Sequence, residues 1–351
     1  AWGLALDPAA GLAAGALLAA AGLADALLLV ALPRLNISHG PWRAQLYFLL
    51  APRAAVALLL LGPAVWLGPA WGLALLAGLQ VGAWLALAYA SLVEPQQLGL
   101  SRLEVESERL PAGTAPIRIL HISDLHISRP TRREAKVLAL ARQARPDLIV
   151  LTGDYVNLSN TRDGHSHAAV RRLLSQLAAP GGVYAVLGSP SVDLRPVMPA
   201  VLADLPLALL CDQARELDLG PGRRLWLLGL TCSHYLPHDR PALARLAAAA
   251  PADAFKVLLY HSPELMPEAA GLGLDLYLCG HTHGGQVRLP LIGPLLTGSQ
   301  LGRRYVMGAY REGYCQLYVS RGLGMEGLSA PRVRFGCRPE LTLVVLRPAA
   351  A

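Results

Sequence analysis

The first hundred residues of this 351-residue chain contain almost no charged side chains. Only six of the 31 basic and 24 acidic residues lie there, and the 40 residues from Ala54 to Val93 contain none. A charge-free run of this length excludes an ordinary soluble surface, because a helix of about 20 apolar residues already crosses the hydrocarbon core of a bilayer. The sequence therefore predicts that the N-terminal part lies in a membrane.

Lysine and cysteine are also scarce. The chain has two lysines and many arginines, which indicates a bias of composition before any recognition of phosphate groups. Its five cysteines form no C-x-x-C pair and are odd in number, which favours reduced thiols. The net charge of +7 falls after Leu100, since the six earlier charges cancel, and it is compatible with anionic lipid or an anionic substrate.

We predict three membrane-spanning helices within a membrane domain of residues 1–95. One covers about Ala9 to Pro33, and the charge-free run forms a hairpin that breaks at Gly68-Pro69-Ala70, since proline ends a helix. Asp25 interrupts the first span. We interpret it as a partner in a helix–helix or helix-end hydrogen bond in preference to an ion or head-group site.

The arginines predict the orientation of these spans. Arg34, Arg43 and Arg53 lie between the first and second spans, whereas the second connection has no arginine. Basic connections stay in the cytoplasm, and three spans then return the chain to the cytoplasm after Val93. We therefore expect an integral protein of the cell (inner) membrane whose soluble part is cytoplasmic.

After a linker at residues 96–115, a soluble domain of residues 116–351 alternates between strand and helix patterns. It begins with a strand at Ile117–Ile122, a helix at Arg132–Arg145 and a strand at Asp147–Thr152. The later elements are a helix at Ala168–Leu177 and strands at Val183–Leu187, Leu225–Leu230, Lys256–Tyr260, Leu274–Leu278, Gln316–Ser320 and Leu341–Leu346. This pattern predicts an α/β fold with two sheets packed between helices, a four-layer α/β/β/α sandwich.

Side chains that commonly bind metals follow four of these strands. In chain order they are Asp124 and His126, Asp154, His261, and the pair His281 and His283. Ligands of open α/β sheets lie at the carboxyl ends of the strands, so these side chains are expected to meet. Each alone is more typical of a turn or of a structural histidine, but all of them in this order predict a site for two metals.

In this order the motifs resemble those of the calcineurin-like metallophosphoesterase family, which read D-x-H, G-D, G-N-H, H and G-H-x-H. The resemblance covers about Arg118 to Pro348, and the string G-H-T-H-G-G-Q at Gly280–Gln286 is similar to the membrane-anchored branch. It implies two divalent cations, for which Mn, Fe and Zn are equally suitable. The implied ligands are Asp124, His126, Asp154 and His283 for one cation, and Asp154 as a bridge with His261 and His281 for the other.

The third family motif is altered in this chain. Where the family has G-N-H, the sequence reads Gly188-Ser189-Pro190. Ser189 therefore replaces the asparagine ligand of the second cation, and its neutral hydroxyl is expected to bind more weakly. Pro190 replaces a histidine that assists at the phosphate, and it can neither bind a metal nor donate a proton.

Other side chains are candidates to replace what this motif has lost. His165 and His167, in the loop after Asp154, are candidates for the missing catalytic imidazole, although exposed loop histidines are usually only solvated. His234 and His238 are weaker candidates. Asp193 is either a substitute ligand or a helix N-cap.

The resemblance implies a membrane-anchored enzyme that hydrolyses a phosphate ester or pyrophosphate with a metal-activated hydroxide. The membrane branch is similar to enzymes that hydrolyse UDP-2,3-diacylglucosamine, so we expect membrane lipid as a partner and a lipid-linked phosphate or phospholipid as substrate. The apolar loop Leu323–Leu328 and the arginines that follow it, Arg332, Arg334 and Arg338, are either a contact for lipid head groups or an ordinary solvated loop.

Two other functions compete with this one. The altered third motif favours a pseudoenzyme, a metal-binding membrane scaffold that has lost turnover. A nuclease has the same metal site, but the sequence has no basic, aromatic tract for a nucleic-acid strand, so no nucleic-acid partner is expected.

Overall fold

The computed structural model describes residues 1–349 and divides into two compact units. One unit consists of Ala1–Gln96 together with Gly327–Val333. The other consists of the remaining described residues and contains both large sheets.

The N-terminal unit is built from helices. They are α1 (Trp2–Ala5), α2 (Pro8–Arg34), α3 (Trp42–Leu59), α4 (Leu61–Leu67) and α5 (Pro69–Leu92). Three stretches are long and apolar enough to cross a membrane, namely Pro8–Arg34, Trp42–Leu67 and Pro69–Gln96. The predicted break of the hairpin is confirmed, because α4 ends before Gly68, whose φ is 92°, and Pro69 begins α5.

The second span begins at Trp42 and not near Ala54, so Arg53 lies inside a helix and not in a connection. Its Nε and Nη2 atoms donate to the carboxylate of Asp25 at 2.6 and 2.8 Å, and Nη1 donates to Gln80 Oε1 at 2.6 Å. This network confirms the interpretation of Asp25 as a helix–helix partner. The span was predicted too short because arginine was taken as a loop residue, yet a charge in lipid is tolerated when it is paired.

The second unit alternates strands and helices, largely as predicted. In chain order they are β1 (Gly99–Ser107), β2 (Ile117–Ile122), α6 (Arg132–Ala144), β3 (Leu148–Leu151), α7 (Gly164–Leu174), β4 (Val183–Ala185), α8 (Met198–Leu202), β5 (Ala208–Leu209), β6 (Gln213–Asp218), β7 (Arg224–Gly229), α9 (Leu236–Ala249), β8 (Lys256–Leu259), α10 (Met266–Gly271), β9 (Leu276–Cys279), β10 (Arg288–Leu289), β11 (Gly293–Pro294), β12 (Gly308–Glu312), β13 (Cys315–Val319) and β14 (Glu340–Pro348).

These strands form two six-stranded sheets and a short β10–β11 hairpin. The first sheet has the order β1-β14-β2-β3-β4-β5, in which β2 to β5 are parallel. The second has the order β12-β13-β9-β8-β7-β6, in which β7, β8, β9 and β13 are parallel. Parallel neighbours end level with one another, so their carboxyl ends form one edge in each sheet.

Three apolar cores define the layers of this unit. Residues such as Ile119 and Leu227 form a core between the two sheets. A second core packs the first sheet against α6, α7 and α8, and a third packs the second sheet against α9 and α10. The unit is therefore an α/β/β/α sandwich, as the sequence predicted.

Residues 96–115, predicted as a linker, contain strand β1, which pairs in parallel with β14 at the edge of the first sheet. Leu103 and Val105 are buried, whereas Arg102, Glu104 and Glu106 are exposed. This alternation is typical of a strand with one buried face, and its charged half was mistaken for a linker.

Two of the loop arginines are not available to lipid head groups. The guanidinium of Arg334 is fully buried and donates to the carbonyl oxygens of Gly324 and Cys337, at 2.6 to 3.2 Å. Arg332 is also buried and donates to the carbonyl of His39 at 2.8 Å. Both alternatives, a contact for lipid head groups and a solvated loop, are therefore wrong for these two residues, because their charges satisfy buried carbonyl groups. Arg338 is exposed.

Candidate dinuclear metal centre

The predicted ligands follow the carboxyl ends of parallel strands in both sheets. They are Asp124 and His126 after β2, Asp154 after β3, His261 after β8, and His281 and His283 after β9. The backbone N–H groups of Asp124 and His126 donate to the carbonyls of Gly153 and Asp154, both at 3.0 Å. These bonds hold the loops after β2 and β3 together.

Five of these six residues have a left-handed backbone. The φ angles are 52° at Asp124, 43° at His126, 55° at Asp154, 72° at His281 and 51° at His283. This conformation costs a non-glycine residue on the order of 1–3 kcal/mol and persists only where the surrounding structure imposes it. Such strain gathers at functional sites, so the backbone and the side-chain types indicate the same place.

Asp124, His126 and His283 form a first group whose nitrogen and oxygen atoms lie within 4.8 Å of one another. The Nε2 atoms of the two histidines are 3.0 Å apart, and His283 Nε2 is 3.7 Å from Asp124 Oδ1. On the other side of its ring, His126 Nδ1 lies 3.1 Å from the Glu326 carboxylate. A carboxylate behind an imidazole orients the ring and increases its basicity toward a metal.

Asp124, Asp154 and His261 form a second group, whose ligand atoms also lie within 4.8 Å of one another. His261 Nδ1 donates to the carbonyl of Thr152 at 2.8 Å, so the lone pair of a neutral ring is on Nε2. This Nε2 lies 3.3 Å from Asp154 Oδ2, which is itself 3.6 Å from His126 Nε2. The Asp154 carboxylate thus lies between the two groups, and Asp124 belongs to both.

His281 joins this centre through its ring. The ring is 5.0 Å from that of His261, and its Nε2 donates to the carbonyl of Gly298 at 3.1 Å, which leaves the Nδ1 lone pair free for a metal. The backbone N–H of His281 donates to both Asp124 oxygens, at 3.0 and 3.2 Å. All six residues predicted as Asp or His ligands are therefore brought together.

The arrangement of acceptors fits divalent cations. His261 Nε2 is buried, has no hydrogen-bond partner among the described residues and points toward a carboxylate oxygen. In their metal-binding forms these nitrogen and oxygen atoms direct lone pairs at one another. The lone pairs repel unless a proton or a cation lies between them. Carboxylate and imidazole donors at these separations are the ligand set of Mn, Fe and Zn.

The electrostatics of the centre keep His283 neutral and Asp154 ionised, as metal binding requires, but favour a proton on His261. Burial lowers the pKa of His283 well below its usual value, so this ring is neutral. Burial opposes the charge of Asp154, but the nearby His261 and His126 outweigh it and hold the pKa of this carboxyl below its usual range. Burial also opposes protonation of His261, yet the Asp154 charge raises the pKa of His261 to about 10. A cation at this place competes with that proton.

Gly280 shows how tightly the carboxylates are packed. A Cβ atom at this position would overlap Asp124 Oδ2 and Ser123 Oγ. Only glycine lets the turn after β9 approach the Asp124 side chain so closely.

Ser189 lies in the centre, as its place in the altered motif predicts. It is buried, its backbone N–H donates to Asp154 Oδ1 at 2.7 Å, and its Oγ is 3.0 Å from His234 Nε2. The Ser189 backbone thus positions Asp154. Its role as a metal ligand stays a prediction.

Asp193 is not a helix N-cap, since the next helix, α8, begins at Met198, and it belongs to neither group of metal-ligand atoms among the described residues. Its buried carboxylate accepts hydrogen bonds from the backbone N–H groups of Asp154, Tyr155 and Gly188, at 2.7 to 3.1 Å. These bonds connect the turn after β3 to the turn after β4. Burial and the charge of Asp154 raise the pKa of Asp193 to about 7.

His165 and His167 belong to neither group of metal-ligand atoms among the described residues. Both lie in α7, where His165 is exposed and His167 Nε2 donates to the carbonyl of Thr161 at 3.1 Å. His234 lies beside the centre instead, with its ring 4.6 Å from that of His281. The sequence held the signal for it, because His234 follows the carboxyl end of β7, a parallel neighbour of β8.

Comparison with known proteins agrees with this fold and centre. Residues 117–189 match the calcineurin-like phosphoesterase family. The chain is 32% identical to the metallophosphoesterase YkuE of Bacillus subtilis, over 74% of this chain and 89% of that protein. It therefore belongs to the calcineurin-like metallophosphoesterases, which confirms the resemblance.

Two further relatives carry informative names. The chain is 29% identical to a transmembrane protein with metallophosphoesterase domain from Bos taurus, over 72% of this chain and 58% of that protein. It is 25% identical to the UDP-2,3-diacylglucosamine pyrophosphatase LpxG of Chlamydia muridarum, over 73% of this chain and 91% of that protein. Together with the three apolar helices, these relatives identify a membrane-integrated metallophosphoesterase.

Proposed function

We propose that this protein is a metal-dependent hydrolase of a phosphate ester or pyrophosphate carried by a lipid. The observation that supports a phosphoesterase is the convergence of Asp and His side chains at the two strand edges. Two cations held there supply a Lewis acid for the phosphoryl oxygens and an activated water. The side chains of the chain hold the centre in place, with Asp154 between the two groups and His261 fixed by the Thr152 carbonyl.

An exposed apolar loop beside the centre supports a lipid-linked substrate. Four large side chains of residues 289–296 are more than half exposed, namely Leu291, Ile292, Leu295 and Leu296. Exposed apolar groups that lie together usually mark a binding surface.

This loop is anchored to the centre by its backbone. The carbonyl of Gly298 accepts from His281 Nε2, and Pro294 packs against Gly285, two residues after His283. Arg303 fixes the loop by donating to the carbonyls of Ile292 and Pro294, at 2.9 and 2.8 Å. Acyl chains on this apolar surface would place an attached phosphate close to the metal ligands. The name of the Chlamydia relative points to the same class of substrate.

The test compares a water-soluble and a lipid-borne phosphate ester. The full chain, purified in detergent with Mn, Fe or Zn supplied, is assayed on p-nitrophenyl phosphate and on a diacyl lipid phosphate in mixed micelles. L291S/I292S should lower the rate on the micellar substrate at least about tenfold, since burial of one leucine contributes ~1.5–3 kcal/mol. The rate on p-nitrophenyl phosphate should stay unchanged.

Tyr314→Ser provides the matched control, because Tyr314 is equally exposed but lies at the opposite end of β13 from the centre. It should change neither rate. An equal loss on both substrates in L291S/I292S, or no loss on either, would show that the loop does not bind lipid.

The second candidate is a metal-binding scaffold without turnover, which the Ser189-Pro190 replacement favours. It predicts that the native protein binds metal but hydrolyses neither substrate with any of the three metals. Turnover by the native protein would exclude it. A gain of turnover in S189N/P190H, starting from an inactive native protein, would establish it.

A further inference from the structure

The family resemblance implies an asparagine amide at one side of the centre, where this chain has Ser189. Ser189 offers only a hydroxyl, and this hydroxyl is engaged with His234 Nε2 at 3.0 Å. A neutral hydroxyl is a poor ligand for Mn, Fe or Zn, whereas imidazole is a good one. The replacement for a lost amide is therefore expected within reach of Ser189.

His234 is in that position. Its ring centroid is 4.6 Å from that of His281 and 6.2 Å from that of His261. Three imidazoles thus surround the side of the centre next to Ser189. Like charges at these distances repel, so the three rings are stable together when they are neutral or when they share a cation.

The backbone of His234 has the same conformation as the predicted ligands. Its φ is 57°, within the range of 43° to 72° found at the five strained ligands. The carbonyl of His234 accepts from Gln300 Nε2 at 3.2 Å. The strained position is therefore supported by a contact from a loop that is distant in the chain.

Buried side chains hold the loop that carries His234. The buried Asp239 carboxylate accepts from the backbone N–H and the hydroxyl of Ser233, at 3.0 and 2.6 Å, and from the Tyr260 hydroxyl at 2.6 Å. Cys232 is fully buried beside the ring. The histidine is thus presented by a rigid turn, which is unlike the setting of a solvated loop residue.

We infer that His234 is a ligand of the second cation and replaces the family's asparagine, together with Asp154, His261 and His281. The inference rests on the dinuclear centre of the proposed function. It makes the second site rich in imidazole, which favours Zn or Fe over Mg. His234 Nε2 would then exchange its contact with the Ser189 hydroxyl for the cation, and Ser189 would be a neighbour of the ligand and not a ligand itself.

Metal content tests this independently of catalysis. The full chain in detergent is stripped with a chelator and titrated with Zn, and bound metal is counted by elemental analysis. The native protein should bind two Zn ions and H234A one, with the affinity for the second weakened by more than about 100-fold. A loss of only about 10- to 100-fold is typical of an outer partner of a ligand and would overturn the direct role.

A rescue variant distinguishes ligation from folding. S189N/H234A restores the family's amide and should recover the second Zn ion, and Co²⁺ in place of Zn should show the matching gain in visible absorption. His238→Ala is the control, because this histidine lies nearby in the first turn of α9, but its side chain is mostly exposed and contacts Asp239. It should bind two ions, and all variants should keep the native unfolding temperature without metal.

The remaining outcomes are also decisive. Two ions bound by H234A with native affinity would overturn the role of His234. A single ion in the native protein would overturn the inference but leave the first group intact. No ion in the native protein would contradict the proposed function itself.

Discussion

Asp154 is the residue on which both halves of the centre depend, because its carboxylate lies within 3.6 Å of His126 and 3.3 Å of His261. Asp154→Asn removes the shared negative charge and should lower phosphoester hydrolysis by at least about 100-fold. Metal content should fall as well. The apolar cores are untouched, so circular dichroism and membrane extraction should match those of the native protein. Native activity in this variant would rule out a bridging carboxylate.

A substitution at Gly280 tests the close packing of the centre, because a methyl group there would overlap the Asp124 carboxylate. Gly280→Ala should lower metal affinity and destabilise the protein by about 1–3 kcal/mol, the usual cost of overpacking. Gly271→Ala is the control, because a Cβ there meets no atom within 4 Å. Metal titration and thermal unfolding check both variants. Equal behaviour of the two would contradict the close packing.

At the residue scale, the sequence predicted the converging side chains where a motif has a fixed distance from a strand end. Asp124, Asp154 and His283 are of this kind. His234 was undervalued because its loop is longer and depends on Asp239, a contact between turns that spacing does not reveal. The buried contacts of Arg334 could not be predicted, because nothing in the local pattern shows that its guanidinium faces buried carbonyl groups.

Among the elements, the helices of the N-terminal unit depend on the buried pair Asp25–Arg53. Removal of one partner, as in Asp25→Leu, leaves an unpaired charge and should destabilise the unit by about 3–5 kcal/mol. The double variant D25L/R53L should recover most of this loss. Unfolding in detergent measures both, and Arg43→Leu, which removes an arginine outside this pair, should have little effect. If the double variant lost as much free energy of unfolding as the two single variants together, the pairing of Asp25 with Arg53 would be contradicted.

The sequence predicted elements well where they are buried on both faces. β3 and β9 are continuous apolar runs, β2 and β8 are apolar runs with one or two polar residues, and all four are strands in the structure. Edge strand β1 was missed because three of its nine residues are charged and exposed. The start of α3 was missed because the charge of Arg53 is compensated by residues that are distant in the chain. The partner that stabilises each element, strand β14 for β1 and Asp25 for Arg53, is distant in the chain.

For the whole molecule, the structure changes the basis of the predicted orientation. Arg53 no longer counts as a basic loop residue, so the positive-inside argument rests on Arg34 and Arg43. We still predict that the phosphoesterase unit is cytoplasmic. A C-terminal green fluorescent protein fusion should be fluorescent, and a C-terminal alkaline phosphatase fusion inactive, in bacterial cells. The reverse pair of results would place the unit outside.

The wide spacing of the ligands along the chain has a consequence for biosynthesis. Asp124 and His281, joined through a backbone N–H, are 157 residues apart, and the apolar helices precede both. During synthesis the apolar helices are therefore made before any of the predicted ligands. Asp124 and Asp154 of the first sheet are made before the histidines that follow strands of the second sheet. The cations can be captured only after β9 has been made and docked. We therefore expect metal loading to be a late maturation step, after the apolar helices have entered the lipid.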